Sequence, residues 1–435
     1  MIKVLKFGGT SVGSAENMRK VASIIKNENS RITVLSAMSG TTDALVKIGT
    51  LAKSGNLKDI DAEILVLRKK YSDCINDLLS SKQDALAKIE KTFSYIAECA
   101  TNYKDGKSEK VILAQGELLT SYIFATYLKD SGIKAKLLNA PDFMVTDENL
   151  KVRRDLLEKE LSVLTKEDGV LYITQGFICT NAEGEIDNLG RGGSDYSAAL
   201  MGTAISADEV QIWTDIDGMH NNDPRFVDKT FPIRQMSFDE AAELAYFGAK
   251  ILHPATIQPC KDKGIPVLLK NTMDPNAEGT KITSESEQKN DFTAVAAKDN
   301  ITVIRIYSTR MLMAYGFLRK VFEVFEVNKT SIDMITTSEV AVSITLDNDT
   351  NLDKIVDELK PFGKIEVERN NTIVCVVGKL DHNQAGMGAK VLTSLNSIPV
   401  KMISYGASHQ SLVLLIDTPN KIEALRSLNK GLFNL

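Results

Sequence analysis

Cysteine is sparse in this 435-residue chain, and the five at positions 74, 99, 179, 260 and 375 never fall at Cys-x-x-Cys spacing. Neither a zinc site nor a disulfide framework is therefore indicated. Histidine occurs only four times and tryptophan once, and no His/Asp/Glu cluster has the spacing of a protein metal cage. No run approaches eighteen unbroken apolar residues, so no membrane partner is expected. The N-terminus carries no charged leader followed by a cleavable apolar stretch, which points to a cytoplasmic address. Basic blocks are missing as well, and the net charge is −5. A nucleic-acid partner would call for a clustered positive surface, so none is expected.

What remains is a composition of 43% hydrophobic and 25% charged residues, that of a soluble globular chain. The length exceeds one ordinary core and predicts two or three domains. Up to about residue 271, strand-like apolar runs alternate with amphipathic helical patterns, which predicts an α/β fold with a mostly parallel sheet sandwiched by helices. Candidate strands cover 2–7, 32–35, 170–177, 209–214 and 266–270. Polar or glycine residues (Gly8, Ser36, Gly176, Thr214, Asn271) follow their carboxyl ends, where open parallel sheets bind ligands. Between 50 and 110 the strand signal gives way to Ile60, Ile64, Leu67, Tyr71, Ile75 and Leu78 at spacings of three and four, which predicts inserted helical hairpins packed as core. Another helix is predicted from Ser237, with Glu240 completing a capping box.

Two loops carry the chemistry. Lys6 closes the first strand and runs into Gly8-Gly9-Thr10-Ser11, with a helix expected from about Ser14. Free backbone N–H groups and a helix dipole favour an anion there, the layout of a phosphate cradle. The segment fits neither the P-loop pattern nor the dinucleotide Gly-x-Gly-x-x-Gly pattern. The second loop, Asn188-Leu189-Gly190-Arg191-Gly192-Gly193-Ser194-Asp195-Tyr196, combines a guanidinium fork suited to a carboxylate with an aspartate suited to an ammonium. Ser194 or Asp195 is also expected to cap the helix that follows.

A polar linker is expected at 285–292, and beyond it the chain repeats itself. Ile301-Thr302-Val303-Ile304 is echoed by Thr372-Ile373-Val374-Cys375, Lys320-Val321-Phe322 by Lys390-Val391-Leu392, and Met334-Ile335-Thr336 by Met402-Ile403-Ser404. Each unit reads strand, helix, strand, strand, a small α+β module present twice.

Lys6-Phe7-Gly8-Gly9-Thr10-Ser11-Val12, Gln175-Gly176-Phe177 and the loop from Leu189 to Tyr196 together resemble the aspartate kinases. So do Gly116-Glu117-Leu118, Trp213-Thr214-Asp215, Asp223-Pro224-Arg225, Phe247-Gly248-Ala249-Lys250-Ile251-Leu252-His253-Pro254 and Ile335-Thr336-Thr337-Ser338-Glu339, in an order that spans nearly the whole chain. The resemblance implies an amino-acid kinase domain over 1–284 and, over 293–435, two ferredoxin-like ACT modules. These would interleave, the first over about 306–386 and the second built from 293–305 with 387–435. It implies ATP and L-aspartate as substrates, with Mg²⁺ held through the ATP phosphates.

By the same resemblance Lys6, Gly8, Gly9 and Asp195 are expected at the transferring phosphoryl group. Ser36, Thr42, Glu117, Arg191, Gly192, Gly193 and Ser194 would lie around aspartate, with Glu117 and Asp195 facing its ammonium. Thr10, Ser11, Thr214, Asp215, His220, Arg225, Lys250 and Ile251 would lie around ATP. His220 departs from the tyrosine that many relatives carry in that loop. L-lysine is implied as an inhibitor acting at Met311, Phe317, Leu318, Asp333, Thr337, Ser338 and Glu339, and a homodimer or homotetramer through the ACT modules is implied as well. Two other readings stay open: a kinase for another small amino acid, and a silent amino-acid sensor.

Overall fold

The apolar run that starts at Lys3 becomes a central strand because its side chains are buried on both faces, as a sheet covered by helices requires. The computed structural model describes residues 1–248, 252–286, 290–311, 315–381 and 383–435. Chain packing divides into two units, one of residues 1–219, 234–238 and 252–286, the other of 220–233, 239–251 and 287–435. The excursions at 220–233 and 239–251, which a contiguous 1–284 domain would include, therefore pack with the C-terminal part. Part of the expected linker, 287–289, lies outside the described residues.

In chain order the first unit contains β1 (Lys3–Phe7), α1 (Ala15–Asn27), β2 (Ile32–Leu35), α2 (Thr41–Lys53), α3 (Leu57–Leu78), α4 (Gln83–Thr101), α5 (Gly106–Asp130), β3 (Ala135–Leu137) and α6 (Arg154–Leu164). Then come β4 (Leu171–Gln175), a hairpin of β5 (Ile178–Thr180) and β6 (Ile186–Asn188), α7 (Gly193–Ala204), β7 (Glu209–Thr214) and β8 (Gln235–Ser237). Next, α8 (Phe238–Tyr246) belongs to the second unit from Asp239 onward, and after α9 (Pro254–Lys263), β9 (Val267–Asn271) and β10 (Thr280–Thr283) complete the first. The eight-stranded sheet runs β3-β4-β2-β1-β7-β9-β10-β8. Among the described residues of this sheet, only β10 against β9 is antiparallel. From β1 the chain turns to β2 on one side and later returns to β7 on the other, in register at Lys6↔Val34 and Lys6↔Ile212. That is a topological switch point, and the crevice outside its carboxyl ends is where such sheets take ligands.

The predicted stripe on α3 is buried throughout, from Ile60 to Leu78. It packs into one core cluster with α1, α4 and α5, and each fully buried Leu, Ile or Phe contributes about 1.5–3 kcal/mol. Among the described residues α5 is the helix long and apolar enough to cross a membrane, yet Ile112, Leu119, Ile123 and Phe124 on it are buried in that cluster.

The second unit adds β11 (Phe292–Tyr307), α10 (Phe317–Val327), β12 (Ile335–Thr337), β13 (Ala341–Leu346), α11 (Leu352–Leu359), β14 (Lys364–Gly378), α12 (Met387–Ser394), β15 (Met402–Tyr405), β16 (Ser411–Asp417) and α13 (Lys421–Phe433). Its sheet runs β12-β13-β11-β14-β16-β15. The strands β11 and β14 each serve both modules. Ile304, Ile306 and Ile365 pack with α10 and α11, while Phe292, Val295, Val374 and Val376 pack with α12 and α13. The change of module on β11 therefore comes at the register shift between Lys298 and Ile301, ahead of the expected 305/306 boundary. Residues 371–378 of β14, which that boundary assigns to the first module, pack in the second. Each module also ends in a helix, α11 or α13, that the short sequence repeat did not include. Glu240, expected in a capping box, is buried and accepts a hydrogen bond from Thr293 Oγ1 at 2.6 Å.

Candidate active site at the sheet switch point

The extended β1 backbone aims Lys6 past its carboxyl end, where its ammonium meets the Asp195 carboxylate at 2.7 Å. Both side chains are 12% exposed, so the pair is largely desolvated yet open on one side. The two loops that sequence separates by nearly two hundred residues thus meet at one point. Asp195 reaches it because α7 begins at Gly193, with Gly192 at the cap in the left-handed region (φ 71°) and no side-chain cap. The expected capping by Ser194 or Asp195 does not occur, since both lie inside the first turn and Asp195 is committed to Lys6.

After Lys6 the chain turns sharply. Gly8 N–H donates to the Trp213 carbonyl at 3.1 Å, and Ser39 N–H donates to the Gly9 carbonyl at 3.0 Å. A Cβ on Gly9 would stand 2.8 Å from the Ala37 carbonyl oxygen, so only glycine lets the loops after β1 and β2 touch. Among the described residues, the N–H groups of Gly9 and Thr10 have no intramolecular acceptor. With α1 starting behind them, capped by Ser14 Oγ at Asn17 N–H, they fit a phosphate. Ser11 does not offer its hydroxyl there: it is fully buried and bonded to Thr272 Oγ1 at 2.7 Å.

The opposite wall comes from α5. Glu117 is 3% exposed, and its Oε1 accepts from Ala37 N–H at 3.2 Å. Its Oε2 is buried with no partner among the described residues. Burial pushes its pKa up to about 7, since an ionised carboxylate there has lost water without gaining a cation. An incoming ammonium would supply one. Ser36 follows β2 and is half-buried, whereas Thr42 is exposed in the first turn of α2. Arg191 is exposed and has no ion-pair or hydrogen-bond partner among the described residues. At the end of β7, Thr214 Oγ1 donates to Asp215 at 3.0 Å.

Other expected site residues fall in the second unit or outside the described residues. His220 and Arg225 belong to the second unit, where His220 Nδ1 pairs with Thr230 Oγ1 at 2.9 Å. The Arg225 guanidinium donates from Nη2 to Asp223 Oδ2 at 2.6 Å and lies over the Phe226 ring. Lys250 and Ile251 lie outside the described residues. Of the expected effector residues, Met311, Phe317 and Leu318 pack against the first module's core, and Thr337, Ser338 and Glu339 are exposed. The Asp333 side chain is 1% exposed.

Several supporting groups escaped the sequence reading. Thr120 Oγ1 accepts from Met38 N–H at 3.1 Å, and Tyr71 OH donates to Thr41 Oγ1 at 3.2 Å, so the inserted helices brace the loop beneath Glu117. Burial raises the Tyr71 pKa to about 12, which keeps it a donor. Gln175 Nε2 donates to Ser121 Oγ at 2.6 Å and ties β4 to α5. The Gln175-Gly176 motif was the one available signal for that contact.

Residues 1–271 match the amino acid kinase family and residues 374–432 match the ACT domain. Over 453 residues the chain is 33% identical to the lysine-sensitive aspartokinase 3 of Escherichia coli, covering 99% of each. The chain belongs to the aspartokinase family. Aspartokinase 1, chloroplastic, of Arabidopsis thaliana is likewise 33% identical, with 99% of this chain and 80% of the relative covered. Among solved structures, E. coli aspartokinase III in complex with aspartate and ADP (R-state) superposes with a TM-score of 0.88 at 33% identity, over 100% of both chains. The same enzyme in complex with lysine and aspartate (T-state) gives 0.84 over 99% of both. As an aspartokinase, this protein is an ATP-dependent phosphotransferase with a carboxyl group as acceptor.

Proposed function

We propose that this chain transfers the γ-phosphoryl group of ATP to the β-carboxylate of L-aspartate, giving 4-phospho-L-aspartate and ADP, the first step toward lysine, threonine and methionine. The observation that carries this reading is the Lys6–Asp195 ion pair at the sheet switch point, which joins the phosphate cradle to the zwitterion loop. A carboxylate acceptor is already ionised at neutral pH, so no general base is required and positioning with charge neutralisation does the chemistry. Lys6, oriented by Asp195, neutralises the transferring phosphoryl group, with the Gly9 and Thr10 N–H groups beside it. Glu117 receives the substrate ammonium and Arg191 its α-carboxylate, while Ser36 and Thr42 hold the β-carboxylate. Thr214 and Asp215 flank the nucleotide. Mg²⁺ would be held through the ATP phosphates rather than by protein ligands, and would offset the charge of the phosphate oxygens.

Regulation belongs to the same proposal: free lysine binds between ACT modules at Asp333 and its neighbours and lowers activity, in a cytoplasmic homodimer or homotetramer. A relative is named lysine-sensitive and its lysine complex is described as a T-state, which supports this. The kinase reading is tested by trapping acyl phosphate with hydroxylamine from MgATP and aspartate, with glutamate as control. Hydroxamate from aspartate alone, abolished by Lys6→Ala, is the expected result. No hydroxamate from folded wild type would overturn it.

A further inference from the structure

The two regulatory modules correspond through their ladder pairings. Thr302 pairs with Leu346 as Thr372 pairs with Ile416, and Asp333 N–H donates to the Thr345 carbonyl as Lys401 N–H donates to that of Leu415. Asp333 is therefore the counterpart of Lys401, Asp347 of Asp417, and Lys298 of Glu368. The charges of one pair are exchanged between modules. In the second module the Lys401 ammonium contacts Glu368 and Asp417 and donates to Asn371 Oδ1 at 2.9 Å, so three acceptors surround a tethered amine. In the first, the amine comes from the other position: Lys298 Nζ lies 3.1 Å from Asp333 Oδ1 and 2.8 Å from Asp347. The Tyr246 ring lies 4.6 Å from that ammonium, and Tyr246 OH donates to the same Asp333 oxygen at 2.8 Å.

This first arrangement is incomplete. Asp333 Oδ2 is buried without a partner among the described residues, although the side chain is 1% exposed. A buried carboxylate with one oxygen unmet favours a further cation, and Lys298 already occupies the other oxygen. We propose that Lys298 is a tethered competitor for the effector's ammonium group at Asp333, a residue that sets the concentration at which a free amino acid bearing an amine can bind. The inference rests on the reading of Asp333 as an effector residue. An arriving ammonium must share or displace the Lys298 contact, and the Asp347 carboxylate with the Tyr246 ring gives the displaced amine a place to stay.

The test is isothermal calorimetry of L-lysine with the full-length wild type and with Lys298→Met, Lys298→Gln and Lys298→Arg, folding being checked by thermal melts. The Met and Gln variants should bind lysine roughly fivefold more tightly, the size expected for removing one partly exposed ion pair, with Arg near wild type. Having two neutral variants keeps the test readable if one fails to fold. Lysine binding by wild type with equal or weaker binding by the folded neutral variants overturns the tethered competitor and leaves the effector reading standing. Absence of binding in every variant overturns both.

Discussion

The backbone N–H of Ala37, just past β2, donates to Glu117 Oε1 on α5 at 3.2 Å, while the second carboxylate oxygen stays buried and unpaired. Burial raises this carboxyl to a pKa of about 7. Between pH ~4.5 and 7 the folded chain keeps a proton that the unfolded chain has released. Stability contributed by this group is thus complete at the acidic end, is lost as pH rises through about 7, and then levels off. The full swing is about 3 kcal/mol. Glu117→Gln, neutral at every pH, should melt increasingly above wild type as pH goes from 5 to 8 while losing affinity for aspartate. Parallel melting curves across that range would contradict the assignment.

The Lys6–Asp195 pair should behave as a coupled unit. Removing either partner strands a largely buried charge, a loss of about 3 kcal/mol in stability, whereas removing both costs less than the sum. In turnover, Lys6→Met should lower kcat by about 10²- to 10³-fold, the scale of one lost charge-stabilising donor. A double-mutant cycle of Lys6→Met and Asp195→Asn, followed by urea unfolding and by ADP release, measures both. Additive unfolding energies would mean that the two charges do not interact.

How much of this was legible depended on the range of the interaction. Lys6, the glycine turn and the 188–196 loop could be read because they sit at strand ends, where the parallel architecture itself creates a crevice. Asp195 was seen both as a ligand and as a cap, since its local preference for a helix start and its distant pairing with Lys6 look alike in one dimension. Ser11 was assigned to phosphate for the same reason, because nothing nearby announces Thr272 as its partner. The module change on β11 was misplaced because one unbroken 16-residue strand contributes to two cores, and a repeat does not say where one ends. Tyr246 and Asp333 lie 87 residues apart, and Lys298 joins them only through the packing of the second unit. Arg225 was expected around ATP by resemblance alone, and its pairing with Asp223, two residues away, has no signature in the sequence.

Gly8 and Gly9 should fail differently when changed to alanine. At Gly9 the new methyl would stand 2.8 Å from a backbone oxygen, so the loops must separate at a cost of about 1–3 kcal/mol. At Gly8 the nearest atoms, Lys6 Nζ and the Trp213 carbonyl oxygen, are 3.7 Å away, an ordinary contact. Gly8→Ala should therefore melt near wild type yet lose activity, because its methyl occupies the space beside the Lys6 ammonium. Melting temperature measured alongside KM for ATP separates them, and a strongly destabilised Gly8→Ala would go against this.

Ser11 supplies the sharpest distinction between holding the loop and holding the nucleotide. Its hydroxyl is fully buried between Thr272 Oγ1 at 2.7 Å and the Trp213 carbonyl at 3.4 Å, so it ties the phosphate loop to the end of β9. Ser11→Ala leaves the Thr272 hydroxyl without this partner in a fully buried position, a loss of about 1–3 kcal/mol. Making Thr272 apolar as well, as Thr272→Val, removes the unmet group and should return part of that loss, because replacing both members of a buried hydrogen bond by apolar groups of like shape is nearly neutral. KM for ATP should follow stability in this series, worsening in Ser11→Ala and recovering in the double variant. If the Ser11 hydroxyl contacted the nucleotide directly, the double variant would regain stability but keep the raised KM, and that split would reassign Ser11 to ATP.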